Sequence, residues 1–265
     1  FSCFCNYGGK MLPMCGRYVS PDEAALEREY RIDRRNSHLQ LSDALERAYE
    51  ASYNVAPTDR VPVVRVIRDT DGEREAVLMR WGLVPFWANG EPPKSSTINA
   101  RIETLETAHT WKTAWEYGRR CIVPAAGFYE WKLQPDGKTK RPYYIKPVDG
   151  ETFALAGIWD RSITPGGETI LSCAVITMRA NDLMAGIHTH TGGKHLPREQ
   201  RRMPAILQEE DVDTWLRGTL EQARAALKEY PSDLMLAWPV SSRVNSPKNN
   251  DADLIRPEAE PLTLF

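Results

Sequence analysis

Between about residues 60 and 180, short apolar segments alternate with turn-forming residues, and this alternation limits the fold more than any other feature. The segments VPVVRVIRD and EAVLMRWGL flank TDGE, a combination typical of a β-hairpin. The next segments are RCIVP, FYEWKL, PYYIKP, TFALAGIW and TILSCAVITM, and the turns between them include PDGK, VDG and PGGE. Their β-branched and aromatic residues predict strands, and the short turns favour antiparallel neighbours.

Amphipathic segments on both sides of this region predict helices. In SPDEAALEREYRI, Ser20 is predicted as the N-cap, Pro21 as the first helical residue and Glu23 as the partner in a capping box. Further short helices are predicted at LSDALERAYE, AHTWKTAWEYG, EDVDTWLRG and LEQARAALKEY, and a last strand at LMLAWPVS. The sequence therefore predicts an α+β fold: a single domain with a mainly antiparallel, barrel-like β-sheet and peripheral helices.

Bulk composition excludes some classes of protein. The formal net charge of −2 gives no argument for nucleic acid, so an anionic partner would have to meet a local patch. No apolar run approaches the roughly 18 residues that span a bilayer, so we expect no membrane contact and a cytoplasmic location, or a nuclear one in a eukaryote. We divide the chain into a leader or propeptide (1–14), one domain (15–255) and a C-terminal tail (256–265).

The cysteines predict neither a metal site nor a cofactor. None of the five shows zinc-ribbon spacing with a second pair of ligands. Cys121 and Cys173 lie in the apolar stretches RRCIVP and LSCAVI and are predicted to be buried thiols. Cys15 follows Met14 directly and is the one of these three cysteines with a polar, glycine-containing context.

Three stretches place polar side chains where strands and turns are expected. TINARIET, predicted as a polar loop, carries Asn99 and Arg101. PAAGFYEW puts Glu130 in an aromatic strand, on the same face as Phe128. GIHTHTGGKHLPREQRRMPAIL gathers three histidines ahead of an apolar strand. Taken alone, Asn99 and Arg101 could cap a turn, and Glu130 could lie on a solvent face paired with a lysine.

In combination these segments resemble one family. In chain order they are Met-Cys-Gly-Arg-Tyr, YNVAPT, WGLVPFW, NARIET, RRCIVPAAGFYEW, FALAGIWD, IH, RMPAIL and PVSSRVNSP. From about Met14 to about Leu254 this order resembles the SOS-response-associated peptidase family, also called abasic-site processing proteins. The resemblance implies that the leader is removed, so that Cys15 becomes the first residue of the working protein.

A first-position cysteine is a 1,2-aminothiol, and the resemblance implies that it reacts with an abasic site in single-stranded DNA. Its α-amine, with a usual pKa of about 7.7–8.0, condenses with the aldehyde of the opened sugar, and the thiol then closes a thiazolidine ring. The implied activity is that of a crosslinking, lyase-like enzyme of the DNA-damage response. Peptidase activity would be limited to removal of its own leader, and no obligatory protein partner is predicted.

The resemblance also implies roles for individual residues. Asn99 would hold the opened sugar or the N-terminal residue, Glu130 would move protons, and His188 would be the catalytic histidine. A segment that includes THTGGKHLPRE separates His188 from RMPAIL, where the family has one or two residues. His190 and His195 therefore stay open as alternatives, with His195 the stronger of the two.

Six residues are implied as DNA contacts. Gly16 would permit close approach of the backbone, Arg17 and Arg101 would meet phosphates, and an apolar wedge would stack on bases. The wedge consists of Trp81, Leu83 and Pro85, although Trp81 could equally be a core residue. The Gly-, Lys- and Arg-rich segment after His188 is predicted to be a basic loop at the DNA groove.

Two other classes of function stay open. A thiol N-terminal-nucleophile hydrolase would use the same cysteine on another amide or ester. A non-catalytic module for single-stranded DNA would carry the cysteine without using it. The three classes differ in whether a covalent bond to DNA forms and whether a small substrate turns over without DNA.

Overall fold

The computed structural model describes residues 4–7, 10–13, 15–30, 51–67, 72–191 and 194–258. Its helices are α1 Glu23–Tyr30, α2 His109–Glu116, α3 Asp182–Ile187, α4 Val212–Arg217 and α5 Leu220–Ala226. Its first eight strands are β1 Phe4–Tyr7, β2 Lys10–Pro13, β3 Tyr18–Val19, β4 Arg60–Val66, β5 Arg74–Trp81, β6 Asn99–Arg101, β7 Arg120–Ala125 and β8 Gly127–Leu133. The others are β9 Lys140–Pro147, β10 Phe153–Ile163, β11 Thr169–Arg179, β12 His190–Thr191, β13 Lys194–His195, β14 Arg202–Pro204, β15 Ile206–Leu207 and β16 Met235–Pro239.

A small barrel forms the centre of the fold. Its order is β11–β5–β4–β7–β10, and β10 pairs back to β11 to close the ring. The β11–β5 pair is parallel and the other pairs in the ring are antiparallel. Strands β6 and β14 extend the sheet beside β11, and β15 pairs with β10. The predicted α+β fold with a mainly antiparallel, barrel-like sheet is confirmed.

A second antiparallel sheet, ordered β16–β9–β8–β3, packs against this barrel. The two sheets share one hydrophobic cluster, to which the second sheet contributes Tyr18, Phe128, Ile145 and Met235. The barrel interior contributes Cys121 and Cys173, which are buried as predicted. Burial raises the pKa of both thiols, so they stay protonated and unreactive.

Helices cover the outer surface of the barrel. Trp111 and Trp115 of α2 pack with Trp215 of α4 in a second hydrophobic cluster. The indole N–H of Trp215 also donates to the carbonyl of Cys121 at 2.8 Å, which satisfies its polar atom inside the core. Each such side chain contributes roughly 1.5–3 kcal/mol through burial. Tertiary packing therefore fixes these short helices, which would not persist alone.

Several local predictions require correction. Helix α1 begins at Glu23 and Asp22 accepts from the backbone N–H of Ala25 at 2.8 Å, whereas Ser20 accepts from Ser52 N–H instead. TINARIET, predicted as a loop, contains strand β6, which pairs in parallel with β11. The predicted tail begins packed against the domain, because Leu254 before it is buried and the backbone N–H of Glu258 donates to the carbonyl of Pro239 at 2.8 Å.

Two further expectations concern a predicted helix and membrane-spanning segments. The helix predicted at LSDALERAYE lies outside them, in 31–50. Within them, no helix combines the length and apolar character needed to cross a membrane.

Candidate active site

Cys15 and Glu130 meet inside the protein, 115 residues apart in sequence. The backbone N–H of Cys15 donates to Oε2 of Glu130 at 3.2 Å, and its thiol donates to the same oxygen at 3.5 Å. Cys15 is 5% exposed and Glu130 is fully buried. A single carboxylate oxygen therefore contacts both atoms of Cys15 that could act as nucleophiles.

The alternation of side chains along β8 explains this contact. Phe128 packs into the cluster shared with the barrel, while Tyr129 and Trp131 pack on the opposite face of the second sheet. Glu130 lies on the same face as Phe128, as predicted, and so points towards Cys15. Its second oxygen accepts from the backbone N–H of Trp131 at 2.9 Å, which holds the carboxylate in one orientation.

The backbone of Cys15 is itself unusual. Its φ of 48° lies in the left-handed region, which side chains with a Cβ rarely adopt. Strain of this kind persists only where surrounding contacts enforce it, and it concentrates at functional sites. The backbone of Cys15 is therefore held in a conformation that residues with a Cβ seldom adopt.

Helix α3 brings His188 to the same site. The side chain of Asn181 caps the helix by accepting from the N–H of Met184 at 3.0 Å, and His188 follows the last turn. His188 is 1% exposed, and burial lowers its pKa below the usual 6.5 although the nearby carboxylate of Glu130 opposes this shift. The imidazole is consequently neutral at pH 7.

The other two histidines of this segment lie on a hairpin. His190 of β12 and His195 of β13 pair across the strands with ring centroids 4.9 Å apart. His190 is half-buried and His195 is exposed. Among the three, His188 is the one that is buried beside Glu130, which favours it over both alternatives.

Asn99 and Arg101 lie on β6, opposite Val175 and Thr177 of β11. Asn99 is half-buried, and Ile98 before it packs in the same cluster as Cys15. Arg101 is exposed at the end of the strand. Strand β6 thus places the side-chain amide of Asn99 near the site and the guanidinium of Arg101 at the protein surface.

Most of the predicted DNA contacts lie in the interior. Trp81 and Leu83 are 1% and 0% exposed, and Gly16, Arg17 and Pro85 are also buried. The predicted wedge is therefore a core element, because its apolar side chains fill the space between strands. Trp81 packs edge-on against Tyr18 at 5.3 Å and donates to the carbonyl of Ile98 at 3.1 Å, so it ties the Cys15 segment to β6.

Arg17 belongs to a polar network that sequence reasoning missed. Its guanidinium donates to Oδ1 of Asn54 at 2.7 Å and to the carbonyl of Val244 at 3.0 Å. The amide of Asn54 in turn donates to the carbonyls of Val244, Ser246 and Asn249 at 2.8–3.2 Å. This network fixes the segment after Cys15 against the C-terminal part of the chain. YNVAPT and PVSSRVNSP contributed to the family resemblance, but nothing in either segment identified Asn54 as the centre of such a network.

A second missed contact lies behind His188. The backbone N–H of Arg202 donates to Nδ1 of His188 at 3.1 Å. The guanidinium of Arg202 pairs with Glu103 through contacts of 2.5 and 2.8 Å. Among the described residues, no group of three or more His, Cys, Asp or Glu side chains is arranged to hold a metal ion. The hydrogen bonds of Arg202 connect His188 to Glu103.

This fold and this arrangement of cysteine, glutamate and histidine define a protein class. The chain belongs to the SOS response associated peptidase (SRAP) family, whose model matches residues 14–247.

Individual relatives cover most of the chain. The abasic site processing protein YoqW of Bacillus subtilis is 39% identical over 213 residues, which are 79% of this chain and 88% of that protein. The abasic site processing protein HMCES of Xenopus tropicalis is 33% identical over 270 residues, 89% of this chain and 76% of that protein. A crystal structure of a Bacteroides thetaiotaomicron protein matches with a TM-score of 0.74 at 26% identity, covering 91% and 99% of the two chains.

The network around Asn54 yields a stability prediction. Asn54→Ala should lower the free energy of unfolding by about 3 kcal/mol, because it removes one hydrogen bond from the buried Arg17 and three to backbone carbonyls. Asn250→Ala is the matched control, since Asn250 accepts from Tyr53 N–H at an exposed position and should cost about 1 kcal/mol or less. Urea unfolding measures both, and equal losses would contradict the central role of Asn54.

Proposed function

We propose that this protein processes abasic sites in single-stranded DNA by forming a thiazolidine crosslink through Cys15 after its leader has been removed. The observation that carries the proposal is the contact of one Glu130 oxygen with both the nitrogen and the sulfur of Cys15. A reaction of an aldehyde with an aminothiol needs proton transfer at these two atoms and no cofactor. The names of YoqW and HMCES support the choice of lesion.

Removal of the leader is the first step. The thiol of Cys15 gives its proton to Glu130 and attacks the carbonyl carbon of Met14, forming a C–S bond. The C–N bond to Cys15 breaks, and Glu130 returns the proton to the departing amine. Water then hydrolyses the thioester, which releases residues 1–14 as a carboxylic acid and restores the thiol. The left-handed φ of Cys15 favours the step, because cleavage relieves the strain.

Crosslinking uses the same atoms. The new α-amine adds to C1′ of the opened sugar to give a carbinolamine, and loss of water gives an imine. The thiol then adds to the imine carbon, so that the net products are one thiazolidine and one water. Glu130 accepts the proton from the nitrogen and delivers it to the departing hydroxyl, a role of general acid and base.

The surrounding residues orient the DNA. Asn99 would hydrogen-bond the opened sugar from the half-buried end of β6, and Arg101 would contact a phosphate beside it. Single-stranded DNA suits a site enclosed by two sheets, because an extruded sugar can enter it without the cost of unpairing. With DNA as its substrate, the protein would act in the cytoplasm, or in the nucleus of a eukaryote.

The first test follows the covalent bond. A chain that begins at Cys15, verified by intact mass spectrometry, should form a heat-stable adduct with a single-stranded oligonucleotide carrying one abasic site, without added reductant. Cys15→Ala keeps an α-amine and loses the thiol, so its adduct should survive denaturing electrophoresis only after borohydride reduction. As long as mass spectrometry shows residues 1–14 still attached, the chain should form neither adduct, because the nitrogen of Cys15 is then an amide.

Other outcomes would favour the remaining classes. Binding of the oligonucleotide by the verified chain without any adduct would contradict the proposal and favour a non-catalytic DNA-binding module. Turnover of a small amide or ester in the absence of DNA would favour a thiol hydrolase. An adduct of equal stability in Cys15→Ala would exclude the thiazolidine.

A second prediction concerns phosphate contact by Arg101. Arg101→Ala should weaken binding to single-stranded DNA. It should also reduce the slope of log K against log salt concentration by the amount that corresponds to roughly one phosphate contact. Arg161→Ala is the control, since Arg161 is also exposed but lies far from Arg101. Arg161 is opposite Leu171 of β11, whereas Arg101 is opposite Thr177. These two positions are six residues, or about 20 Å, apart along the strand. Equal slopes for Arg101→Ala and the unaltered protein would contradict the assignment.

A further inference from the structure

A hydrogen bond joins the backbone of Arg202 to the ring of His188. A backbone N–H can only donate, so Nδ1 of His188 must present its lone pair over the 3.1 Å contact. In the neutral ring the proton is then on Nε2. Protonation of Nδ1 would require this bond to break.

The opposite nitrogen of the ring is also buried. Nε2 of His188 is buried and has no hydrogen-bond partner among the described residues. A buried N–H without a partner is uncommon and costly in proteins, and a catalytic role is one of the reasons for which it is retained. The ring therefore keeps one unsatisfied donor inside the protein, and the carboxylate of Glu130 lies close enough to act on that ring.

The backbone of Arg202 is held from several directions. Strand β14 pairs with β11, with Arg202 opposite Arg179. The guanidinium of Arg202 makes a two-point contact with Glu103 and donates to the carbonyl of Thr177 at 2.7 Å. The donor that fixes His188 is consequently part of a sheet and cannot rotate away without breaking these contacts.

The charges around His188 oppose a second proton. Glu130 on β8 favours the cationic ring, whereas Lys140 on β9 and both Arg201 and Arg202 disfavour it. His190 of the hairpin also lies close enough to interact with His188. Burial acts in the same direction as the three cations, and the combined effect lowers the pKa of His188.

We infer that His188 acts as a neutral hydrogen-bond donor through Nε2–H, in a tautomer fixed by the backbone N–H of Arg202. The inference rests on the proposed function, since the acceptor is an oxygen of the opening sugar that gains negative charge. A neutral imidazole stabilises such an oxygen without giving up its proton. Proton transfer is left to Glu130, and Arg202 is a positioning residue.

Nitrogen NMR tests the tautomer without DNA. In the full chain labelled with ¹⁵N-histidine, one imidazole ring should be neutral at pH 7 with its proton on Nε2. The midpoint of its pH titration should lie below 6.5. His188→Gln should remove this signal. If that variant does not fold, replacing the other four histidines one at a time assigns the ring by elimination. A proton on Nδ1, or a cationic ring at pH 7, would overturn the inference.

Kinetics provide a second readout. In chains that begin at Cys15, His188→Ala should slow crosslinking by about 10²–10³-fold, the usual effect of removing one such donor. His188→Gln should recover at least about tenfold of this loss, because its amide can donate from a similar position. A glutamine variant no faster than the alanine variant would overturn the inference.

The two readouts separate the inference from the proposed function. A wrong tautomer in a protein that crosslinks normally overturns the inference alone. The expected tautomer in a protein that forms no adduct overturns the proposed function.

Discussion

The buried carboxylate of Glu130 is the feature on which the rest of the site depends. A carboxylate removed from water is costly unless hydrogen bonds replace its hydration. Here the backbone N–H of Trp131 meets one oxygen, and the nitrogen and sulfur of Cys15 meet the other. Any chemistry at Cys15 therefore takes place against a fixed proton acceptor, and the folding of β8 and the positioning of Cys15 are interdependent.

This arrangement relates two activities: the family name refers to a peptidase, and the names of the relatives refer to abasic site processing. A peptidase that removes its own leader and a protein that captures an aldehyde need the same thiol, the same nitrogen and the same carboxylate. In the proposed function, the first reaction creates the amine that the second consumes. In this account the Arg17–Asn54 network keeps Cys15 in place during both reactions, because its contacts involve residues after the cleaved bond.

Much of the fold could be predicted because local rules decide it. The period of two along β8 put Glu130 and Phe128 on one face, and apolar context identified Cys121 and Cys173 as core thiols. The role of Trp81 could not be predicted in this way, because an apolar motif with Gly and Pro suits a surface wedge and a core element equally. Strand β6 was missed because it has three residues, too few for a pattern, and its pairing partner β11 lies more than 70 residues away.

The polar frame of the site depends on contacts that sequence patterns do not encode. Asn54 bonds to carbonyl groups about 190 residues away, and any residue type supplies a carbonyl. The same holds for the backbone N–H of Arg202 that meets His188. Candidate reactive side chains could therefore be found by type and spacing, whereas the tautomer of His188 and the burial of Arg17 required the three-dimensional structure.

The rate of crosslinking in Glu130→Gln tests the central claim most directly. Glutamine is close in size to glutamate and keeps an oxygen for the Trp131 N–H, but it cannot accept a proton from Cys15. In single-turnover reactions of chains that begin at Cys15, the variant should bind the oligonucleotide as tightly and react at least about tenfold more slowly, since acid–base help is worth roughly 10²–10⁴-fold. A correctly folded variant that crosslinks at full speed would contradict the account.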